Sequence, residues 1–239
     1  MSENQPHQKA LRFILRRIFE QGLSEGAKLP TERVLSAETG VDRTSLRIAL
    51  KQLESMQVLD IRHGDGIYIK DISEHAGLDL LRLLFLQQDV AGGWLPDTYL
   101  LDEIWEFYVA YFPAMLSVAL KHITPEVLKE LQAILDEELS CIEDRERVVR
   151  LELASEELVA RTTGNLLFML ISNSSAPLRK RMVGLFVQSM TGDELKKHVA
   201  NKKRMVKRFT EEGMSADQAA RAYGEILASY REKALRAGT

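Results

Sequence analysis

The chain has 239 residues, 45% hydrophobic and 28% charged, with a net charge of −3. That is room for two ordinary domains with packed cores, and the composition excludes the disordered and fibrous classes. With Cys141 as the sole cysteine, no signal-peptide pattern and no apolar run near the roughly 18 residues of a membrane span, the expected setting is a reducing cytoplasm, with no membrane contact.

Leu11, Ile14, Leu15, Ile18 and Phe19 recur at spacings of three and four, which predicts an amphipathic helix over about residues 8–19, ended by Gly22. Pro30-Thr31-Glu32 starts a second, short helix that stops before Gly40. Gly40-Val41-Asp42 makes a tight connection, with Asp42 placed to cap a third helix over about 43–56. Two helices joined this way form a helix-turn-helix. Strands over 58–62 and 67–70 follow, and His63-Gly64-Asp65-Gly66 between them makes a hairpin, the wing. Residues 71–77 are polar and aperiodic and read as a linker after a domain of residues 1–70. From 78 to 239 no strand pattern appears. Helical stripes run over about 78–89, 97–121, 125–142, 144–162, 165–173, 176–190, 193–211 and 215–236. The expected fold is mainly α: a winged helix-turn-helix of three helices and a two-stranded wing, then an all-α bundle of seven or eight helices.

Residues 1–70 carry eleven Lys or Arg against nine Asp or Glu, a balance of +2 that leaves −5 for the rest. So small an excess favours nucleic acid only weakly, and position has to carry the argument. The third helix begins Arg43-Thr44-Ser45-Leu46-Arg47. A helix-turn-helix sends that end into the major groove. Arg43 and Arg47 share a face and suit guanine O6 and N7, while Thr44 and Ser45 offer hydroxyls to phosphate. Leu46, Leu50 and Leu53 face the other way and pack. Arg33 is placed to meet backbone or base from the second helix, and His63 with Gly64 to enter the minor groove, where glycine permits close approach. A solvated arginine face would account for any one of these residues, but not for helix, turn, arginine-bearing helix and glycine-tipped hairpin in unbroken order.

The run Leu29-Pro30-Thr31-Glu32-Arg33, then Gly40 to Arg47, then His63-Gly64-Asp65-Gly66 resembles the winged-helix signature of the GntR superfamily. The resemblance implies that Arg33, Arg43 and Arg47 contact bases or phosphates and that His63 and Gly64 touch the minor groove. It departs at Asp42, where the family usually has Ser or Thr near phosphate. The cap is kept and a phosphate contact is lost.

The helical part is similar to that of the FadR subfamily, through Gly77-Leu78-Asp79-Leu80-Leu81 and Thr163-Gly164-Asn165. The likeness implies a homodimer that binds a palindromic operator in double-stranded DNA and is released by a small-molecule effector. Most members bind a metal through an Asp and three His and hold a carboxylate effector with an Arg on an early helix. Here Glu152 and Glu156 stand at the first Asp and His, no His follows His198, and Tyr108 stands at the Arg. The two glutamates read as a solvated acidic face, so no metal or other cofactor is expected. Without the Arg a small dicarboxylate loses its partner, and the expected effector becomes apolar: a long-chain fatty acyl-CoA, as in the fatty-acid-responsive members, which also lack the histidines. Tyr223-Gly224 matches their ligand-site Tyr-Gly, whereas Leu227 and Arg231 replace their ligand-lining Ser and Trp. Effector-binding residues are then Tyr108, Tyr223, Gly224 and Leu227. Tyr223 and Leu227, with Ala219, Ala220 and Ile226, also read as plain core, as do Trp105, Phe107, Tyr108, Tyr111 and Phe112. A small organic acid remains the alternative effector, and a regulator acting by protein contacts alone the alternative function. No Gly-rich phosphate loop or metal-ligand run occurs, and Cys141 has no evident His partner, so an enzyme is not expected.

Overall fold

A computed structural model describes residues 5–86 and 98–236. The chain divides into two compact units, Met1–Trp94 and Leu95–Thr239.

In the first unit, α1 (Pro6–Glu20), α2 (Glu32–Thr39) and α3 (Arg43–Ser55) meet in one core. Leu11, Ile14, Leu15 and Ile18 of α1 bury with Leu35 of α2 and with Leu46, Ala49, Leu50 and Leu53 of α3. Gly40 ends α2 in the left-handed conformation, φ 66°, which a side chain would strain. The sheet is antiparallel, in the order β1 (Lys28–Leu29), β3 (Gly66–Ile69), β2 (Leu59–Arg62). The expected wing has two strands and the observed sheet three, because the burial of Leu29 holds Lys28-Leu29 against β3. Two residues show no period in sequence.

Residues 71–77, expected to be a linker, contain α4 (Ile72–His75), capped by Asp71 through the Ser73 and Glu74 amides. The expected second domain starts at residue 78, but α5 (Leu78–Leu86) belongs to the first unit. Its Leu80, Leu83 and Leu84 are buried in the first core. Residues 87–89 of the helix expected over 78–89, and residue 97 of the next, lie outside the described residues.

The second unit has α6 (Thr98–Leu120), α7 (Pro125–Ser140), α8 (Arg145–Thr162), α9 (Leu166–Ser174), α10 (Ala176–Ser189), α11 (Gly192–Glu211) and α12 (Ala216–Arg236). Side chains cap several starts: Thr124 accepts from Val127 N–H, Asp144 from Arg147 N–H, and Thr191 forms a reciprocal box with Glu194. In Thr163-Gly164-Asn165, Gly164 takes φ 65° after α8, and Asn165 caps α9 by accepting from Leu167 N–H at 2.9 Å. α8 packs on α6, α7 and α10, and α6 lies along α12. That last approach depends on Gly224, where a Cβ would stand 3.0 Å from Pro113 Cγ. No helix among the described residues is long and apolar enough to cross a membrane.

Candidate functional site

The first candidate surface is the N-terminal end of α3. Asp42 accepts from the Ser45 amide at 2.9 Å and from the Ser45 hydroxyl at 2.7 Å. The hydroxyl bond, then the amide bond, favours the carboxylate and lowers its pKa. Ser45, expected to offer its hydroxyl to phosphate, therefore gives its one proton to the cap. Arg47 Nε donates to Glu32 Oε2 at 2.8 Å, which ties the guanidinium to the first turn of α2. Arg33, Arg43 and Thr44 are exposed and held by no side-chain hydrogen bond or ion pair among the described residues. Ile48, four on from Thr44, is 50% exposed, an apolar residue on this face that the helical stripe alone did not single out.

The wing is braced from within. Tyr68 Oη donates to Asp65 Oδ1 at 3.0 Å, Lys28 Nζ reaches the same oxygen at 3.4 Å, and Arg62 lies over the Tyr68 ring at 4.4 Å. Gly64 turns the tip at φ 76°. His63 and Gly64 are exposed there. Lys28 and Arg62 add two cations to the wing that the sequence reading left out.

The second candidate site is the core of the helical unit. Tyr108, Tyr223 and Leu227 come together with Trp105 and Phe186 around a cavity of about 10 Å³, also lined by Glu152 and Glu156. A neighbouring cavity of about 40 Å³ is lined by Tyr223, Ser155 and Lys202. Both fall far below the roughly 300–1,000 Å³ of a small-molecule pocket. Gly224 does not line either of them; it serves the α6–α12 contact against Pro113. Arg231 pairs with Asp102 at 2.7 Å.

Glu152 and Glu156 are not a solvated face: they are 3% and 2% exposed. Glu156 accepts from Arg179 Nη1 at 2.8 Å and from the Tyr108 hydroxyl. Glu152 accepts from Lys202 Nζ at 2.7 Å and from His198 Nε2 at 3.0 Å, and the same ammonium donates to Glu138 at 2.8 Å. Cations from α10 and α11 make the burial tolerable. Tyr108 thus shares Glu156 with the guanidinium of Arg179 on α10. One signal in the sequence matched this: His198 and Lys202 are four apart on α11, as Glu152 and Glu156 are on α8.

Burial, aided by the neighbouring Glu152, pushes the Glu138 carboxyl up to about 8. Burial also opposes the Glu152 anion, but Lys202 and His198 outweigh it and hold that carboxyl below the usual carboxylate range. Burial lowers the His198 pKa. Near neutral pH the cluster is therefore one anion and one ammonium, with Glu138 and His198 uncharged. Trp105 Nε1, Glu138 Oε1, Arg179 Nε and His198 Nδ1 are buried without a hydrogen-bond partner among the described residues. No group of three or more His, Cys, Asp or Glu among those residues is arranged to hold a metal ion; the cation in this cluster is the Lys202 ammonium.

Residues 7–69 match the family described as bacterial regulatory proteins, gntR family. The HTH-type transcriptional regulator Mce2R of Mycobacterium tuberculosis is 36% identical over 108 residues, 45% of this chain and 42% of the relative, so the chain matches less than half of its length. A Fatty acid metabolism regulator protein of Shewanella amazonensis is 27% identical over 235 residues, 98% of this chain and 89% of the relative. The solved structure of Lar, described as controlling expression of the Listeria monocytogenes agr system, shares the fold, with a TM-score of 0.59 at 15% identity over 99% of both chains. These relatives are named as regulators, not enzymes. The family match falls on the same residues as the helix-turn-helix and its glycine-tipped wing, so residues 7–69 form a winged helix-turn-helix similar to that of the gntR family of bacterial regulatory proteins.

Proposed function

We propose that this chain is a sequence-specific transcription regulator of the bacterial cytoplasm. It binds a palindromic operator in double-stranded DNA as a homodimer, and a long-chain fatty acyl-CoA in the helical unit releases it. The observation that carries the DNA reading is the start of α3, where Arg43 and Thr44 are exposed and have no side-chain partner among the described residues, while Glu32 holds Arg47 in place. Arg43 and Arg47 read bases, Thr44 and Arg33 meet the backbone, and His63 and Gly64 approach the minor groove. Ser45 acts through the Asp42 cap.

Asp42 puts a carboxylate beside the surface that meets phosphate. Asp42→Ser keeps a capping oxygen and removes that charge. Its expected result is tighter DNA binding, with the slope of log affinity against log salt steeper by about one unit. Titration at several salt concentrations reads it, and an unchanged slope places Asp42 away from the phosphates.

Relatives named for fatty acid metabolism support the acyl-CoA reading, with Tyr108, Tyr223 and Leu227 as the lining. Cavities of about 10 and 40 Å³ admit no acyl chain as they stand, so binding has to part the helices. That requirement gives the ligand a preference between two conformations, which a switch needs. A small organic acid is the second reading, favoured by the unpaired Nε of buried Arg179. Calorimetry with palmitoyl-CoA and with small dicarboxylates, followed by gel shift at fixed salt, separates the two. Micromolar binding of the thioester with loss of the DNA complex is expected. Binding of a dicarboxylate alone moves the site to the second reading, and binding of neither removes an effector of either class.

A further inference from the structure

The sequences of α6 and α9 call for more burial than the second unit supplies. No charged residue occurs from Phe107 to Leu120, nor in Leu166–Ser174. A helix that is apolar all round is ordinarily buried all round. One side of α6 is covered: Trp105, Phe112, Met115 and Leu116 point into the unit. The other side carries Phe107, Ala110, Tyr111 and Ala114 at spacings of three and four, with Phe107 54% exposed and both alanines exposed. On α9, Leu166, Leu167 and Leu170 are 68%, 64% and 51% exposed. The two faces are continuous, since Phe107 stacks on Tyr111 with 5.3 Å between ring centroids and Tyr111 meets Phe168 of α9 at 5.8 Å.

We propose that this α6–α9 face is where a second copy of the chain docks. The proposal rests on the homodimer reading above and names its surface. Area argues for it. Four large side chains at these exposures present on the order of 400 Å² of apolar surface, the size of the largest patch on a typical monomer and of a kind that is often functional. It is about half of the roughly 800 Å² that each partner buries in a standard interface, close to the apolar share such interfaces carry. Shape argues the same way. Exposed leucines on α9 and the small, exposed Ala110 and Ala114 on α6 give this face both projecting and low positions, as a two-fold contact requires. Absence of charge lets two copies meet without burying like charges. Among the described residues the first unit offers no comparable face: its exposed large apolar residues there, Phe19, Ile48 and Leu78, are single positions on three different helices.

Sedimentation equilibrium of the full chain tests this, with Phe107→Glu and the double variant Leu167→Glu/Leu170→Glu compared with wild type. These side chains are exposed in the protomer, so circular dichroism and melting temperature should stay near wild type. Wild type is expected to be a dimer at micromolar concentration, with dissociation constants raised about a hundredfold or more in both variants. Variants that dimerise like wild type overturn this surface while leaving the homodimer intact. A wild type that stays monomeric, alone and on operator DNA, overturns both. Should a variant misfold, hydrogen exchange of wild type decides: protection of α9 and of Phe107–Ala114 must rise with protein concentration, and constant protection overturns the proposal.

Discussion

Replacing Lys202 with methionine is expected to destabilise the helical unit by about 3–5 kcal/mol, the usual loss when one partner of a buried ion pair is removed. The Lys202 side chain is 6% exposed and its ammonium joins Glu138 of α7 to Glu152 of α8. Without it, Glu152 keeps a buried charge, and relief comes only by taking up a proton or by charging the buried His198. Both routes cost stability. Lys202→Met/Glu152→Gln removes the stranded anion along with the cation and should recover part of the loss. Urea unfolding followed by circular dichroism measures each variant. A single variant within about 0.5 kcal/mol of wild type, the range of an ordinary surface substitution, would show the network to be energetically idle.

The same network fixes a pH dependence. Folded Glu138 keeps its proton up to about 8, whereas the unfolded chain releases it near 4.5. Its contribution is therefore full below the unfolded value and lost as pH rises through the folded one. Glu152 and His198 are both lowered, so their contributions are present at higher pH and lost as pH falls through their folded values. Glu138→Gln should accordingly flatten the decline in stability between about pH 5 and 8 and leave the acid limb in place.

That network also marks where sequence patterns stop being informative. The helices of the second unit were legible because each start carries its own signal, as in Thr124-Pro125 or Thr191 with Glu194, and because their stripes repeat. The arginine-bearing end of α3 was legible for the same reason: Asp42 caps it and Leu46, Leu50 and Leu53 assign the inner face. An inward-facing glutamate has no such local mark. Glu152 meets its partners 46 and 50 residues away, and periodicity reports only that it shares a helix face with Glu156. The stripe of α5 likewise predicts a helix without saying which core takes Leu80, Leu83 and Leu84. Arg179 was hidden for a related reason: its residue type defaults to the surface, and only the fold puts its guanidinium 2.8 Å from Glu156.

On an operator found by selection from genomic fragments, Arg43→Ala and Arg47→Ala should each weaken specific binding by about 1–3 kcal/mol, the range for a lost bidentate base contact. The two losses should differ in kind. Arg43 is exposed and, among the described residues, held by no side-chain hydrogen bond or ion pair, so the whole entropy cost of ordering it falls on the binding step. Arg47 is already tied to Glu32 at 2.8 Å, and part of its ordering is complete in the free protein. Glu32→Ala provides the contrast. It removes a negative charge near the DNA and frees Arg47, so binding to unrelated sequence should tighten while preference for the operator falls. Gel-shift titrations at fixed salt on operator and scrambled duplex give both quantities. If the ratio of the two affinities is unchanged in Arg43→Ala and Arg47→Ala, base reading does not reside at this end of α3, and the wing becomes the remaining candidate on the first unit.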